Sequence, residues 1–138
     1  MKTIRKICLP VVMILMLIFL SSCSFTTANF SNIAMSSDIN SDFTPVNETT
    51  KFSTNTPIFY VSGRVNNAPA STQINGKWYY IDTEPAIFID ESVYLVENTT
   101  TSFYFSLSAP DNGWPSGTYS VELYIDGKIE QTLTFTVE

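Results

Sequence analysis

Apolar and polar residues alternate with a period of two through most of the chain after Pro57. The alternating runs are short, rich in aromatic and β-branched residues, and separated by Pro, Gly and Asn. This pattern predicts an all-β, antiparallel sandwich of seven to eight strands, and no segment after residue 22 has helical periodicity. A first, edge strand is expected between Asn32 and Asn40. The others are predicted at 58–65, 72–81, 86–90, 92–97, 101–107, 118–125 and 129–137.

The first 22 residues are organised differently. Lys2, Arg5 and Lys6 give a basic start, an apolar run extends from Ile7 to Leu20, and Ser21-Ser22-Cys23 follows. A basic start, a short apolar run and small residues are the layout of a secretory signal. A spanning helix needs about 20 apolar residues, so an uncleaved membrane helix is the weaker interpretation.

The sequence Leu20-Ser21-Ser22-Cys23 resembles the lipobox of bacterial lipoproteins. The resemblance implies that residues 1–22 are removed and that Cys23 receives a diacylglycerol. The protein would then be lipid-anchored in a bacterial cell membrane with its domain on the extracytoplasmic side, because two acyl chains give a stable anchor. The expected organisation is a signal peptide at 1–22, a flexible tether at 23–32 and one domain at 33–138.

The predicted domain contains no histidine and no cysteine. This excludes the usual Ser-His-Asp and Cys-His nucleophile systems and all imidazole or thiolate metal sites. Carboxylate pairs remain as candidates for glycoside hydrolysis or Ca²⁺ binding, namely Asp82 with Glu84 and Asp90 with Glu91. Their positions at strand ends are typical of ordinary solvated acids. We therefore expect no enzyme activity, no metal and no cofactor.

The charge of the mature chain is strongly negative. Three of the seven basic residues lie in the signal, which leaves four against 13 acidic residues, a formal charge of −9. Such a domain is repelled by nucleic acid phosphates, so we expect no nucleic acid partner. The charge is better explained by solubility than by an acidic surface built for a cationic partner.

The last predicted hairpin offers two registers. Asp126-Gly127 favours a two-residue turn on composition, with Ile125 opposite Lys128. A three-residue loop instead pairs Leu123 with Ile129 and keeps more apolar residues on one face. A slip of one residue moves the whole apolar set to the wrong face, so we expect burial to decide for the three-residue loop. Gly127 should then have a positive φ in a bulged turn.

Two further motifs lie near the C-terminus. Asp111 to Tyr119 reads Asp-Asn-Gly-Trp-Pro-Ser-Gly-Thr-Tyr, and Tyr124 to Lys128 contains the Asp-Gly dipeptide. Together with the strand pattern they resemble small bacterial extracytoplasmic domains of the immunoglobulin-like or fibronectin type III-like class. The resemblance implies a fold and an anchored location, but no reaction. Without a disulfide, the core must rely on Trp78, Phe103, Phe105, Tyr119 and Phe135.

In a sandwich with a tyrosine corner, a tyrosine hydroxyl bonds to backbone a few residues upstream. Tyr119 is in the corresponding position, so we expect it to bond within the loop 111–117, with Trp114 covering the core. Trp114 is also a candidate ligand contact, as are Tyr79, Tyr104 and Tyr124, whose parity is opposite to that of their inward neighbours. Cross-strand packing explains such exposed tyrosines at least as well.

These features favour a non-catalytic lipoprotein whose domain is a protein-interaction or structural module. One alternative is a carbohydrate-binding module that uses exposed aromatic residues, and another is an inhibitor of an extracytoplasmic enzyme. The surface can separate the first two. A row of solvent-facing rings on one flat sheet favours sugar, whereas an exposed apolar patch at one edge favours a protein partner.

Overall fold

A computed structural model describes residues 26–138, which form two packed β-sheets. The expected signal peptide and the first three residues of the expected tether, including Cys23, lie outside the described residues. Residues 26–138 include no helix long and apolar enough to cross a membrane. The strands are β1 (Asn29–Ile39), β2 (Pro45–Glu48), β3 (Lys51–Phe52), β4 (Ile58–Asn66), β5 (Thr72–Tyr80), β6 (Ile87–Val96), β7 (Thr101–Ser108), β8 (Gly117–Ile125) and β9 (Lys128–Val137).

One sheet has four strands in the order β2-β1-β4-β7, and the other has five in the order β3-β9-β8-β5-β6. All pairings are antiparallel except the short parallel pair of β3 with β9. The all-β sandwich is confirmed, with nine strands in the described part of the chain. The predicted strands 86–90 and 92–97 are one strand, β6, whose irregularity lies opposite Trp78 and Tyr79.

The first strand differs from the sequence prediction in position. β1 lies between β2 and β4, so it is an inner strand, and β2 is the edge strand on that side of the sheet. β1 also begins at Asn29, so residues 29–32 belong to the sheet although the sequence assigned them to the tether. The segment is polar, and a bulge between Ser31 and Ala34 interrupts its alternation. For these two reasons the sequence pattern did not indicate that the strand begins at Asn29.

The core is an aromatic cluster between the sheets. Phe59 of the four-stranded sheet lies 5.0 Å from Phe135 of the five-stranded sheet, measured between ring centroids. Tyr119 stacks on Phe135 at 5.4 Å. The five residues expected to form the core are all buried: Trp78, Phe103, Phe105, Tyr119 and Phe135.

The β8–β9 hairpin has the two-residue turn, so the predicted three-residue loop is wrong. Asp126 and Gly127 have φ values of 47° and 80°, the positive range that such turns require. Ile125 pairs with Lys128, and the register then shifts between Leu123 and Tyr124. This shift leaves one extra residue in β9, a bulge that restores the inward face after the turn.

The bulge decides which apolar side chains of the hairpin are buried. Val121 and Leu123 are fully buried, and Leu133, which pairs with Val121, is half-buried. Ile129 precedes the bulge and pairs with Tyr124 on the outer face, where 47% of it is exposed. The expected burial of Ile129 is therefore wrong. The bulge lies between the turn and the buried part of the hairpin. Asp126-Gly127 therefore keeps its preferred two-residue turn, and Val121 and Leu123 stay in the core.

The loop before β8 has the expected corner. The Tyr119 hydroxyl donates to the Pro115 carbonyl at 2.7 Å, four residues upstream. Trp114 is 6% exposed and stacks on Phe59 at a centroid distance of 4.3 Å. Its Nε1 donates to the Thr56 carbonyl at 2.7 Å. Both expectations for this loop are confirmed, and the loop closes one end of the core.

We predict that Leu123→Ala lowers the free energy of unfolding by about 2–5 kcal/mol, because it opens a cavity in the core. Ile129→Ala is the matched control on the same hairpin, and its effect should stay within about 0.5 kcal/mol, as for other surface positions. Urea unfolding followed by tryptophan fluorescence measures both. Equal losses for the two variants would contradict the bulged register.

For the corner we predict that Trp114→Ala destabilises by about 3 kcal/mol or more, because it removes the ring that stacks on Phe59. Tyr119→Phe should cost about 1 kcal/mol, because the Pro115 carbonyl loses its donor. Trp114→Phe is the control, since it keeps an aromatic ring and loses only the bond to Thr56. The corner is not structural if Trp114→Ala unfolds at the same urea concentration as the wild type.

Candidate functional site

The four aromatic residues singled out as ligand contacts lie in three separate places. Tyr79 and Tyr124 are on the outer face of the five-stranded sheet, where they pair with Ser120 and Ile129 respectively. Tyr104 is on the outer face of the four-stranded sheet. Trp114 is buried in the corner. No single surface contains all four residues.

On the five-stranded sheet, the outer tyrosines belong to a polar network. The Tyr124 hydroxyl donates to Glu122 at 2.5 Å, and Lys77 Nζ lies 4.6 Å from the Tyr124 ring centroid. The hydrogen bond to Glu122 is the main cause that raises the pKa of Tyr124 to about 12. Burial, and then the charges of Glu122 and Glu91, raise the pKa of Tyr79. Both hydroxyls are protonated at neutral pH, as tyrosine hydroxyls ordinarily are, and that of Tyr124 donates to Glu122.

On the four-stranded sheet, Tyr104 is one of three neighbouring rings. Its centroid lies 5.0 Å from that of Phe43, in the β1–β2 loop, and 5.9 Å from that of Tyr60. The ring planes cross at 66° and 60°. A sugar stacks on the face of a ring, and a glycan chain needs several faces in one plane. These three rings pack against one another at steep angles, so they give no flat platform.

Five of the nine large apolar side chains that are exposed among residues 26–138 lie along β6, which sequence reasoning did not single out. β6 ends the five-stranded sheet and pairs only with β5. Five of its apolar side chains are between 42% and 56% exposed: Ile87, Phe88, Val93, Tyr94 and Leu95. Exposed apolar surface at an edge is typical of an interaction site. The signal in the sequence was the pair of apolar runs 87–89 and 93–96, which do not alternate because they are apolar on both faces.

β7 is the free edge strand of the four-stranded sheet, and it lies on the same side of the sandwich as β6. A groove of about 330 Å³ separates β6 from β7. Ser92 and Tyr94 line it from β6, and Phe103 and Phe105 line it from β7. Ser92 and Tyr94 pair with Gly76 and Ile74, so they share the inner face of the sheet. The sandwich is open on this side, where the inner aromatic residues of β7 meet the groove.

Acidic residues surround β6. Asp82, Glu84, Asp90, Glu91 and Glu97 lie on it or beside it, and no Lys or Arg occurs between residues 77 and 128. Asp90 and Glu91 are consecutive in a strand, so their carboxylates point to opposite faces.

Two of these carboxylates, those of Asp82 and Glu91, have local partners. Glu91 accepts a hydrogen bond from Asn75 at 2.7 Å and lies 3.9 Å from Lys77 Nζ. Asp82 accepts one from the Thr118 backbone N–H at 2.8 Å. Because Asp90 and Glu91 lie on opposite faces of β6, their carboxylates do not face each other as the pair of a two-carboxylate active site does.

Two solved structures share the architecture of this chain. An immunoglobulin-like protein from Pseudomonas aeruginosa gives a TM-score of 0.53 at 10% identity, with 80% of this chain and 96% of that chain covered. The Pseudomonas fluorescens alkylpurine DNA glycosylase AlkC, bound to DNA containing an abasic site analogue, gives the same TM-score and identity over 80% of this chain. The match spans 30% of the glycosylase.

At this level of identity the likeness concerns the fold alone. No protein-family model and no curated protein matches the sequence. The Tyr119 corner and the tryptophan buried on β5 agree with the same assignment. The described part of the chain is therefore an immunoglobulin-like antiparallel β-sandwich, as the sequence predicted.

Proposed function

We propose that this protein is a lipid-anchored bacterial lipoprotein whose immunoglobulin-like domain is a non-catalytic module for binding other proteins on the extracytoplasmic side. The observation that carries the proposal is the β6 edge, where five apolar side chains are exposed beside an open groove. An apolar patch at one edge is the feature that separates a protein-binding surface from a sugar-binding one.

The anchoring part of the proposal rests on the sequence Leu20-Ser21-Ser22-Cys23. β1 begins at Asn29, six residues after Cys23. Six extended residues reach roughly 20 Å, so a lipid on Cys23 would hold the domain close to the membrane surface. The two acyl chains of the diacylglycerol would anchor the protein stably, so the proposal requires no protein segment in the bilayer.

The carbohydrate-binding alternative is based on Trp114, Tyr79, Tyr104 and Tyr124. Trp114 is buried, Tyr79 and Tyr124 belong to the polar network of the other sheet, and Tyr104 packs against Phe43 and Tyr60. Their crossed ring planes favour packing within the sheet over stacking on a glycan. The third function, inhibition of an extracytoplasmic enzyme, is one form of protein binding. It would therefore use the same kind of exposed apolar surface.

We predict that Cys23→Ala abolishes lipid modification and leaves the precursor with residues 1–22 attached. Mass spectrometry of the membrane fraction measures this directly, because the wild-type chain should begin at a diacylglyceryl cysteine. Cys8→Ala, within the signal, is the control and should be processed like the wild type. An unmodified Cys23 in the wild-type membrane fraction would refute the anchoring proposal.

We also predict that a photo-crosslinking amino acid at Leu95 captures a partner protein in intact cells. Leu95 is 56% exposed, so the replacement should leave the fold intact. The same amino acid at Ile129, an exposed apolar site on β9, is the matched control and should give no adduct of that size. Identical adducts from the two positions, or none from Leu95, would contradict β6 as the interaction surface.

A further inference from the structure

The outer edge of β6 is available for strand pairing over half of its length. From Ser92 to Val96 the strand pairs in regular register with Gly76 to Thr72 of β5. No described strand lies on its other side. In a regular strand, alternate residues direct their backbone N–H and C=O groups away from the neighbouring strand. This half of β6 therefore presents unpaired backbone donors and acceptors to solvent.

The two halves of β6 differ in how well their edge is protected. Natural edge strands are blunted by bulges, prolines, lysines or inward-pointing charges. The first half has such features, because Pro85 precedes it, the irregularity lies next to Phe88, and Asp90 has inward parity. The segment Ser92–Val96 has no proline, no charge and no bulge. Three of its four apolar residues, Val93, Tyr94 and Leu95, are exposed, and the fourth, Val96, is buried.

We propose that the edge of β6 from Ser92 to Val96 binds an extended segment of a partner protein as a sixth strand of this sheet, and that this segment carries Lys or Arg beside apolar residues. This inference rests on the proposed function and names its site and the chemistry of its partner. Added strands gain affinity from main-chain hydrogen bonds and specificity from pockets for alternate side chains.

The groove provides the pockets. A strand beside β6 would direct every second side chain towards the inner face of the sheet, as Ser92 and Tyr94 do. On that side the groove of about 330 Å³ is bounded by Phe103 and Phe105 of β7. Apolar side chains fit this environment, and they would cover the open side of the sandwich.

Although solubility explains the overall negative charge, its distribution beside β6 favours a basic partner. Five acidic residues lie between residues 82 and 97, and no basic residue lies between 77 and 128. Among residues 26–138, the ion pairs are Lys77 with Glu91 and Lys128 with Glu130, so Asp90 and Glu97 have no cationic partner there. Lys or Arg at the ends of the added strand would lie near these two carboxylates.

A second copy of the chain is a poorer occupant. Each copy carries a formal charge of −9 after loss of residues 1–22. Antiparallel self-pairing centred on Tyr94 would also place Glu91 of one copy opposite Glu97 of the other, and like charges directly opposite are destabilising. The same acidic character that favours solubility therefore disfavours pairing between copies and favours a cationic strand.

The test uses the full chain as purified from cells and three synthetic heptapeptides. The probe alternates Lys and Val. The first control alternates Glu and Val, and the second is the Lys/Val peptide with N-methyl groups on alternate residues, which removes donors along one edge. We expect the probe to bind at least tenfold more tightly than either control. Amide hydrogen exchange should slow within Ser92–Val96 when it is bound.

Two matched variants locate the site. Leu95→Lys places a cation on the proposed edge and should weaken binding of the Lys/Val peptide at least tenfold. Ile129→Lys places the same cation on an exposed apolar site of β9 and should leave binding unchanged. Circular dichroism establishes that both variants are folded.

Each other outcome overturns the inference. Equal binding of the N-methylated peptide, or binding without slowed exchange at Ser92–Val96, excludes strand addition. A concentration-dependent dimer that Leu95→Lys abolishes assigns the edge to a second copy. If Leu95 crosslinks a protein in cells but the Lys/Val peptide does not bind, the proposed function stands and the strand-addition inference fails. If Leu95 crosslinks no protein in cells, the proposed function fails whatever the peptide does.

Discussion

The stacked contact between Trp114 and Phe59 connects the two sheets in a domain that has no cysteine to link them. Phe59 belongs to β4, whereas Trp114 leads into β8 of the other sheet. Around this pair, Tyr119 and Phe135 stack on each other and meet Phe59 edge-on. In antibody domains a disulfide joins the sheets next to a buried tryptophan. Here aromatic packing and the hydrogen bond from Trp114 to the Thr56 carbonyl hold the layers together, so the corner that positions Trp114 is part of the core.

The same packing explains why the domain tolerates an open side. The buried aromatic residues are concentrated around Phe59 and Trp78, towards the middle and the Trp114 end of the sandwich. Phe103 and Phe105 extend the core to β7, where Phe105 approaches Gly76 so closely that a Cβ at this glycine would lie 2.7 Å from the ring. Beyond this contact the sheets separate and the groove begins. The fold is therefore complete without the surface beside β6.

The sequence predicted the inner strands well because their two faces differ chemically. Along β4 and β7 the inward residues are apolar and their neighbours are mostly Ser, Tyr or Arg, so alternation alone identifies both faces. It failed at β6, which carries apolar residues on both faces, so its pattern does not distinguish an inner face from an outer one. The hairpin register failed for another reason, since one bulged residue let Asp-Gly and the core each have its preferred geometry. The alternation of apolar and polar residues does not show where a bulge interrupts a strand or which strand lies at the edge of a sheet.

The placement of β1 and β6 in different sheets has a mechanical consequence. A lipid on Cys23 would pull on β1, in the four-stranded sheet, whereas a strand bound to β6 would pull on the five-stranded sheet. β1 is held on both sides, by β2 and β4, so a force along its axis is shared by many hydrogen bonds at once. Between the sheets, the load would pass through the aromatic contacts of Phe59. Tension between membrane and partner would thus be carried by the contacts between the two sheets as well as by the backbone pairing within each of them.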